Sequence, residues 1–245
     1  CNAVSITTPA SNHFQSAMLA MKNNCHVFIE KPITKNVLEA SKLIKYKNSK
    51  KLKMQIGHIE RFNPAFIALL KASTKPKFIE FHRLCAFNKR GLDVDVILDL
   101  MIHDIDLLSI LIPSPIKTIS AYGAPVLTNS IDMASARIEF QTGEAANLTA
   151  SRISLKQMRQ MRVFQKNSYS VVDFQSQKLN TWKIDSQQKL KSVNHKTIAS
   201  NALFEELNHF IYSIQHGLLE KVRGEDGFNA LKIASKIQKK IAKKQ

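Results

Sequence analysis

In the stretch DVDVILDLMIHDIDLLSIL, Asp99 and His103 stand four residues apart inside an otherwise apolar run. On a helix that spacing puts two side chains on one face, with roughly 5 to 6 Å between Cβ atoms. A carboxylate beside an imidazole fixes its tautomer and stabilises the imidazolium, leaving the other nitrogen as a general base for a hydroxyl proton. Burying an unpartnered polar group costs about 1 to 3 kcal/mol, and an unpaired charge more, so such residues need one another or a ligand. A self-satisfied structural network is the competing reading, and Asp106, one turn beyond His103, fits either. No third ligand has diagnostic spacing, so no metal site is expected.

A second set lies in HVFIEKPIT, where Glu30, Lys31 and Pro32 close a short apolar run, just as Thr7, Thr8, Pro9 and His13 follow NAVSI. Pro32 fixes its own φ and biases Lys31 towards extended backbone. A partly desolvated ammonium held there can donate to a substrate oxygen or face developing alkoxide charge. The local chemistry equally allows a solvated Glu30–Lys31 pair at a strand end. His58 follows Gly57 with Arg61 nearby, and Arg83 and Arg90 flank the approach to the Asp99 segment. Each alone reads as a surface charge, whereas together they could hold a substrate phosphate or carboxylate by bidentate contacts. His13 alone reads as structural, and Trp182 with the phenylalanines as core.

The elements that must position these residues follow from the hydrophobic pattern. NAVSI, HVFIE and LKMQIGH are short apolar runs separated by the helical patterns FQSAMLAMKNN and NVLEASKLIKYKNSK. Strands alternating with helices of ten to fifteen residues mark a parallel α/β layer, in which ligands bind beyond the C-terminal strand ends. After residue 60 the rhythm changes. Asn63 and Pro64 start a helix as N-cap and first helical residue; a strand-like KFIEFHRLCAF follows, then a helix expected over 95–112 and stopped by Pro113 and Pro115. From 116 to about 193 the pattern is extended, with tight turns expected at Thr142-Gly143 and Lys166-Asn167, and two helices close the chain. The expected fold class is α/β: a parallel α/β piece over residues 1–60, joined to an α+β domain over 61–245. That second domain has a large, mostly antiparallel open sheet, with the helices of 200–245 packing back.

Composition narrows the function classes. With 44% hydrophobic and 22% charged residues over 245 positions, the chain has the make-up of an ordinary globular protein. No apolar run reaches the ~18 to 20 residues of a membrane helix, so no membrane partner is expected. Three separated cysteines without CxxC spacing suggest neither a disulfide framework nor a zinc site, and a cytoplasmic location is expected. The net charge of +17 comes largely from dispersed lysines, with one dense cluster in KIASKIQKKIAKK; without a zinc-finger or RRM signature, no nucleic-acid partner is expected.

Five successive landmarks, VSITTPASNH, HVFIEKPIT, GHIERFNPAF, DVDVILDLMIHDIDLL and VRGEDGFNALKIASKI, resemble those of the glucose-fructose oxidoreductase and inositol dehydrogenase family, Gfo/Idh/MocA. The resemblance implies that residues 1–60 are the C-terminal half of a Rossmann dinucleotide-binding domain, which binds NAD or NADP, with NAD preferred here. It also implies a C-terminal domain that supplies the substrate face and a homo-oligomer interface through its sheet. Lys31 matches the lysine of the family's EKP, which contacts substrate beside the nicotinamide. Asp99 and His103 match its D-x-x-x-H pair, with histidine as catalytic base assisted by the aspartate. Thr8, Pro9, His13, Glu30, Lys31 and Pro32 match cofactor-lining positions, and Arg61, Arg83 and Arg90 are the candidates for substrate binding. RFNP and DLMIHDID are similar in particular to the nucleotide-sugar 3-dehydrogenases, such as those oxidising UDP-N-acetylglucosamine. The implied reaction is hydride transfer from a sugar or UDP-sugar secondary alcohol to nicotinamide.

One departure matters. None of the seven glycines falls in the G-x-G-x-x-G pattern that brings backbone N–H groups to a pyrophosphate, and the acidic or basic residue that reads the ribose is missing too. The family layout implies that on the order of 60 to 70 residues of Rossmann domain precede Cys1. A catalytically inactive, truncated remnant serving as a binding or assembly module is therefore the alternative expectation.

Overall fold

The computed structural model describes residues 1–72, 75–88 and 92–243, so Arg90 lies outside the described residues. Strands β1 (Ala3–Ile6), β2 (His26–Glu30) and β3 (Met54–Gly57) form a three-stranded parallel sheet in that order, crossed over by helices α1 (His13–Lys22) and α2 (Val37–Lys50). Val27, Phe28, Ile29 and all four residues of β3 are buried, as expected of a parallel layer covered on both faces. Helix α2 starts where the side chain of Asn36 accepts the Glu39 N–H at 2.9 Å.

The second sheet has eight strands in the order β11-β10-β9-β8-β4-β7-β6-β5. They are β4 (Phe78–Leu84), β5 (Ile116–Ala124), β6 (Met133–Phe140), β7 (Ala145–Ser151), β8 (Met158–Gln165), β9 (Ser168–Asp173), β10 (Lys178–Ile184) and β11 (Leu190–Asn194). All neighbours pair antiparallel except β4 and β7. The expected turns are present, with Gly143 at φ 94° and Asn167 at φ 60°. Strand β11 has no sequence counterpart among the expected strands, because LKSVN lacks alternation and stays largely exposed. Trp182, expected in the core, instead stands half-buried in a row of aromatics, Phe78, Phe164, Tyr169 and Trp182, whose ring centroids are 4.9 to 5.8 Å apart. The opposite face carries the buried Ile79, Phe81, Met161 and Val163.

Helices α3 (Pro64–Lys71), α4 (Ile102–Leu111), α5 (Ala202–Gln215) and α6 (Gly224–Ala242) complete the fold. Asn63 caps α3 through the Ala65 N–H at 3.1 Å, as its sequence position predicts. Helix α6 binds the two sheets into one body, lying against α2 and β3 on one side and α4 and β5 on the other. The approach to β3 requires glycine: a Cβ on Gly227 would stand 2.7 Å from Ile56 Cγ1.

The helix expected over 95–112 begins differently. Residues Ile97–Met101 form a π-helical turn that continues into α4. Asp95 anchors it, its Oδ1 accepting from the N–H groups of Ile97 and Leu98 at 3.1 and 3.0 Å. Wide turns of this kind often mark functional positions, and this one carries Asp99.

Candidate active site

The C-terminal ends of β1 and β2 open on a cavity of about 310 Å³ lined by Thr7, Thr8, Pro9, Ala10, His13, Glu30, Lys31, Pro32, Asp93, Val94 and Asp99. Two ties shape its walls. His13 is buried, and its ring nitrogens lie 2.7 Å from the Pro32 carbonyl and 2.8 Å from the Thr8 carbonyl, so one imidazole pins both strand-end loops together. Asp93 accepts the Ala10 N–H at 2.9 Å, joining the β1 loop to the segment that precedes the π turn.

Lys31 reaches across this cavity. Its ammonium donates to Asp99 Oδ1 at 2.8 Å and also to the Asp99 backbone carbonyl. Both side chains keep about a fifth of their surface exposed, which leaves them accessible to a ligand (19% and 24%). The sequence places Asp99 against His103; the structure pairs it with Lys31. The i,i+4 relation assumes a regular α-helix, and the π turn breaks that regularity, so the carboxylate comes to the lysine instead.

His103 is half-buried, and its Nδ1 is shielded from solvent and without a partner among the described residues. Burial, followed by the positive charges of Lys31 and Arg83, holds its pKa well below the ordinary histidine value. It is therefore a neutral imidazole near neutral pH, the form that accepts a proton. His58 packs edge-on against it, with ring centroids 5.9 Å apart and planes at 88°.

Beneath this layer Arg61 and Arg83 are held in internal ion pairs. Arg83 is bidentate on Asp104, at 2.7 and 3.1 Å to Oδ1, and donates to Glu60 at 2.9 Å. Arg61 grips both oxygens of Asp106, with Nε at 2.7 Å from Oδ2, and also meets Asp226. Both guanidinium groups are buried and satisfied by these carboxylates, not exposed surface charges. Asp104 and Asp106, visible in the HDID run, are their counter-ions.

Glu30 is part of the cavity lining. Its carboxylate accepts the Lys31 N–H at 3.2 Å and presses against Gly57, where a Cβ would come within 2.8 Å of Oε2. Burial raises its pKa, opposed by the Lys31 N–H and ammonium. Nearby, Glu206 of α5 is fully buried, and neither carboxyl oxygen has a partner among the described residues; burial and then the charges of Glu30 and Asp106 push its pKa up to about 9. Sequence reading missed Glu206, since nothing in ALFEELNHF distinguishes it from the exposed Glu205 beside it. It also missed Asp93, which only the fold brings to the cavity.

Two family models match this chain: the oxidoreductase family with an NAD-binding Rossmann fold over residues 1–58, and the GFO/IDH/MocA C-terminal domain over residues 83–168. The solved structure of UDP-N-acetylglucosamine 3-dehydrogenase GnnA from Acidithiobacillus ferrooxidans superposes with a TM-score of 0.91 at 35% identity, over 98% of this chain and 78% of that one. The chain belongs to the Gfo/Idh/MocA oxidoreductase family. In sequence, the Acidithiobacillus enzyme is 41% identical over 182 residues, 74% of this chain and 58% of the enzyme. The scyllo-inositol 2-dehydrogenase (NAD(+)) of Bacillus subtilis is 29% identical over 171 residues, 62% of this chain and 49% of that protein. The chain thus spans about half to three-fifths of the length of these two curated relatives. The Gfo/Idh/MocA assignment agrees with the α/β architecture described above and with the expected Rossmann layer and mostly antiparallel sheet. Among the described residues no helix is long and apolar enough to cross a membrane, and no cluster of three or more His, Cys, Asp or Glu side chains is arranged to hold a metal ion.

Proposed function

We propose that this chain forms the nicotinamide-facing and substrate-facing parts of an NAD-dependent dehydrogenase that oxidises a secondary alcohol of a sugar nucleotide, the C3 hydroxyl of a UDP-N-acetylhexosamine. The observation that carries this reading is the Lys31–Asp99 pair at 2.8 Å in a cavity at the strand ends of a Rossmann layer, with a neutral imidazole close behind it. The choice of substrate rests on likeness to the Acidithiobacillus enzyme, and the choice of NAD on the Bacillus relative.

The cavity suits the nicotinamide end of the cofactor. Thr8, Pro9, His13, Glu30, Lys31 and Pro32 would hold it, and the wall pinned by His13 fixes the two loops that flank it. The bound nicotinamide supplies the hydride acceptor. In the proposed mechanism His103 removes the hydroxyl proton, a contribution of the order of 10² to 10⁴ in rate for a well-placed base. Lys31 donates to the same oxygen as negative charge develops, as a preorganised donor. Asp99 holds the ammonium aimed between turnovers. Arg83 and Arg61 act from below, fixing α4 and therefore His103 through Asp104 and Asp106.

Residues 1–60 are proposed as the cofactor-side unit and 61–245 as the substrate-side unit of a cytoplasmic enzyme. The half-buried aromatic row on the open face of the eight-stranded sheet supports self-association there. The test is NADH formation from NAD and UDP-N-acetylglucosamine by the chain joined at Cys1 to the glycine-loop half of the Acidithiobacillus enzyme. Turnover that disappears in His103→Ala and Lys31→Ala supports the assignment, whereas undiminished turnover in both variants overturns it.

A further inference from the structure

His58 has no assigned part in this chemistry, yet it is the most poorly satisfied polar side chain beside it. It is 1% exposed, and neither ring nitrogen has a hydrogen-bonding partner among the described residues. The neighbouring His103 Nδ1 is orphaned in the same way. Buried polar atoms without partners are rare in folded proteins, because each forfeits its hydration for nothing in return, and they call for a reason. Here three orphaned nitrogens belong to two rings packed edge to face, 5.9 Å between centroids. A neutral imidazole offers one donor and one acceptor, so two such rings can pass a proton between them through a single bridging water.

The surrounding charges set the direction. His103 is faced by Lys31 from the end of β2, Arg83 from β4, Arg159 from β8 and His58 itself. A proton left on His103 would sit among cations. His58 is faced by the carboxylates of Asp106 from α4 and Asp226 from α6, as well as by Arg61 and Lys31. The two carboxylates make His58 the better of the two places for a positive charge, even with Arg61 bound between them.

We propose that His58 is a proton-relay residue acting through His103. As the substrate O–H bond breaks and hydride leaves the same carbon, the proton binds His103 Nε2, and the proton on His103 Nδ1 passes to a nitrogen of His58. Charge therefore moves off the ring that stands beside the Lys31 ammonium, and the alkoxide-stabilising lysine is spared a second cation next to it. After product release the proton returns through His103 to solvent, so no further reactant is needed. The proposal rests on His103 being the base.

Its first test needs no turnover. The 245-residue chain is labelled with ¹⁵N-histidine, and the ring nitrogens are followed by NMR from pH 4.5 to 8. The expected result is coupled titration, each of the two rings showing an inflection at the other's midpoint. In His58→Phe the His103 inflection moves to higher pH by an amount equivalent to a threefold or larger gain in proton affinity, because a cation-forming neighbour has been removed. His58→Gln, which keeps a polar side chain, serves as a second variant should the phenylalanine disturb packing. His103 resonances that titrate alone and do not shift in either variant overturn the relay.

The second test is kinetic, in the joined protein described above. His58→Phe lowers kcat about tenfold or more with KM little changed, and added imidazole restores part of the loss. If His103→Ala abolishes turnover while His58→Phe leaves kcat and its pH profile unchanged, the relay alone fails. If His103→Ala leaves turnover intact, the base assignment fails and the relay falls with it.

Discussion

Glu206→Gln gives the sharpest physical test of the buried layer beneath the site. The Glu206 carboxyl is fully buried, with both oxygens unpartnered among the described residues, and burial together with the Glu30 and Asp106 charges raises its pKa from 4.5 to about 9. Between those two pH values the folded protein holds a proton that the unfolded chain has released. The native state binds more protons, so stability falls as pH rises, by about 1.4 kcal/mol for each pH unit. From pH 4.5 to pH 7 the loss is therefore about 3 kcal/mol, and it stops growing above about pH 9. Glutamine keeps the shape and removes the titration. Urea unfolding of both proteins at pH 5, 6, 7 and 8 checks this. The expected stability difference in favour of Glu206→Gln is near zero at pH 5 and rises steadily, reaching about 2 to 3 kcal/mol at pH 7. A difference that does not change with pH would refute the reasoning, since every titrating group other than Glu206 is common to both proteins.

Arg83→Ala leaves the buried Asp104 and Glu60 without their cation, and an expected loss of about 3 to 5 kcal/mol should appear in the same unfolding assay; Arg83→Lys, which cannot reproduce the bidentate contact, should recover only part of it. A loss under about 1 kcal/mol would show that the guanidinium is not what holds α4. Because burial and neighbouring cations keep His103 neutral to unusually low pH, the acid limb of kcat/KM should fall below pH 6.5, and a limb at or above that value would contradict the assignment of His103 as the base.

Much of the fold is legible in the sequence because its signals are local. The three short apolar runs, the Asn36 and Asn63 caps and the Gly143 and Asn167 turns each follow from residues within a few positions of one another. The cavity at the strand ends is legible for the same reason, since Lys31 and the TTP loop follow the apolar runs directly. What the sequence hides depends on distant partners. The spacing of Asp99 and His103 suggests mutual contact, and only the π turn seeded by Asp95 sends Asp99 to Lys31. Arg61 and Arg83 look like free cations until the fold brings them to the carboxylates of α4, 45 and 21 residues away. Glu206 carries no signal at all, because its burial comes from the docking of α5 near β3, where Gln55 donates to its backbone carbonyl at 2.8 Å.

The most direct measurement of the central claim is the fate of the substrate hydrogen. UDP-N-acetylglucosamine carrying deuterium at C3 is incubated with NAD and the joined protein, and the reduced cofactor is analysed by mass spectrometry. The expected result is one deuterium in the reduced nicotinamide, with formation lowered at least about a hundredfold in His103→Ala. Reduced cofactor without deuterium, or equal formation in the wild-type and His103→Ala proteins, would contradict the assignment of Lys31, Asp99 and His103 as the site of alcohol oxidation.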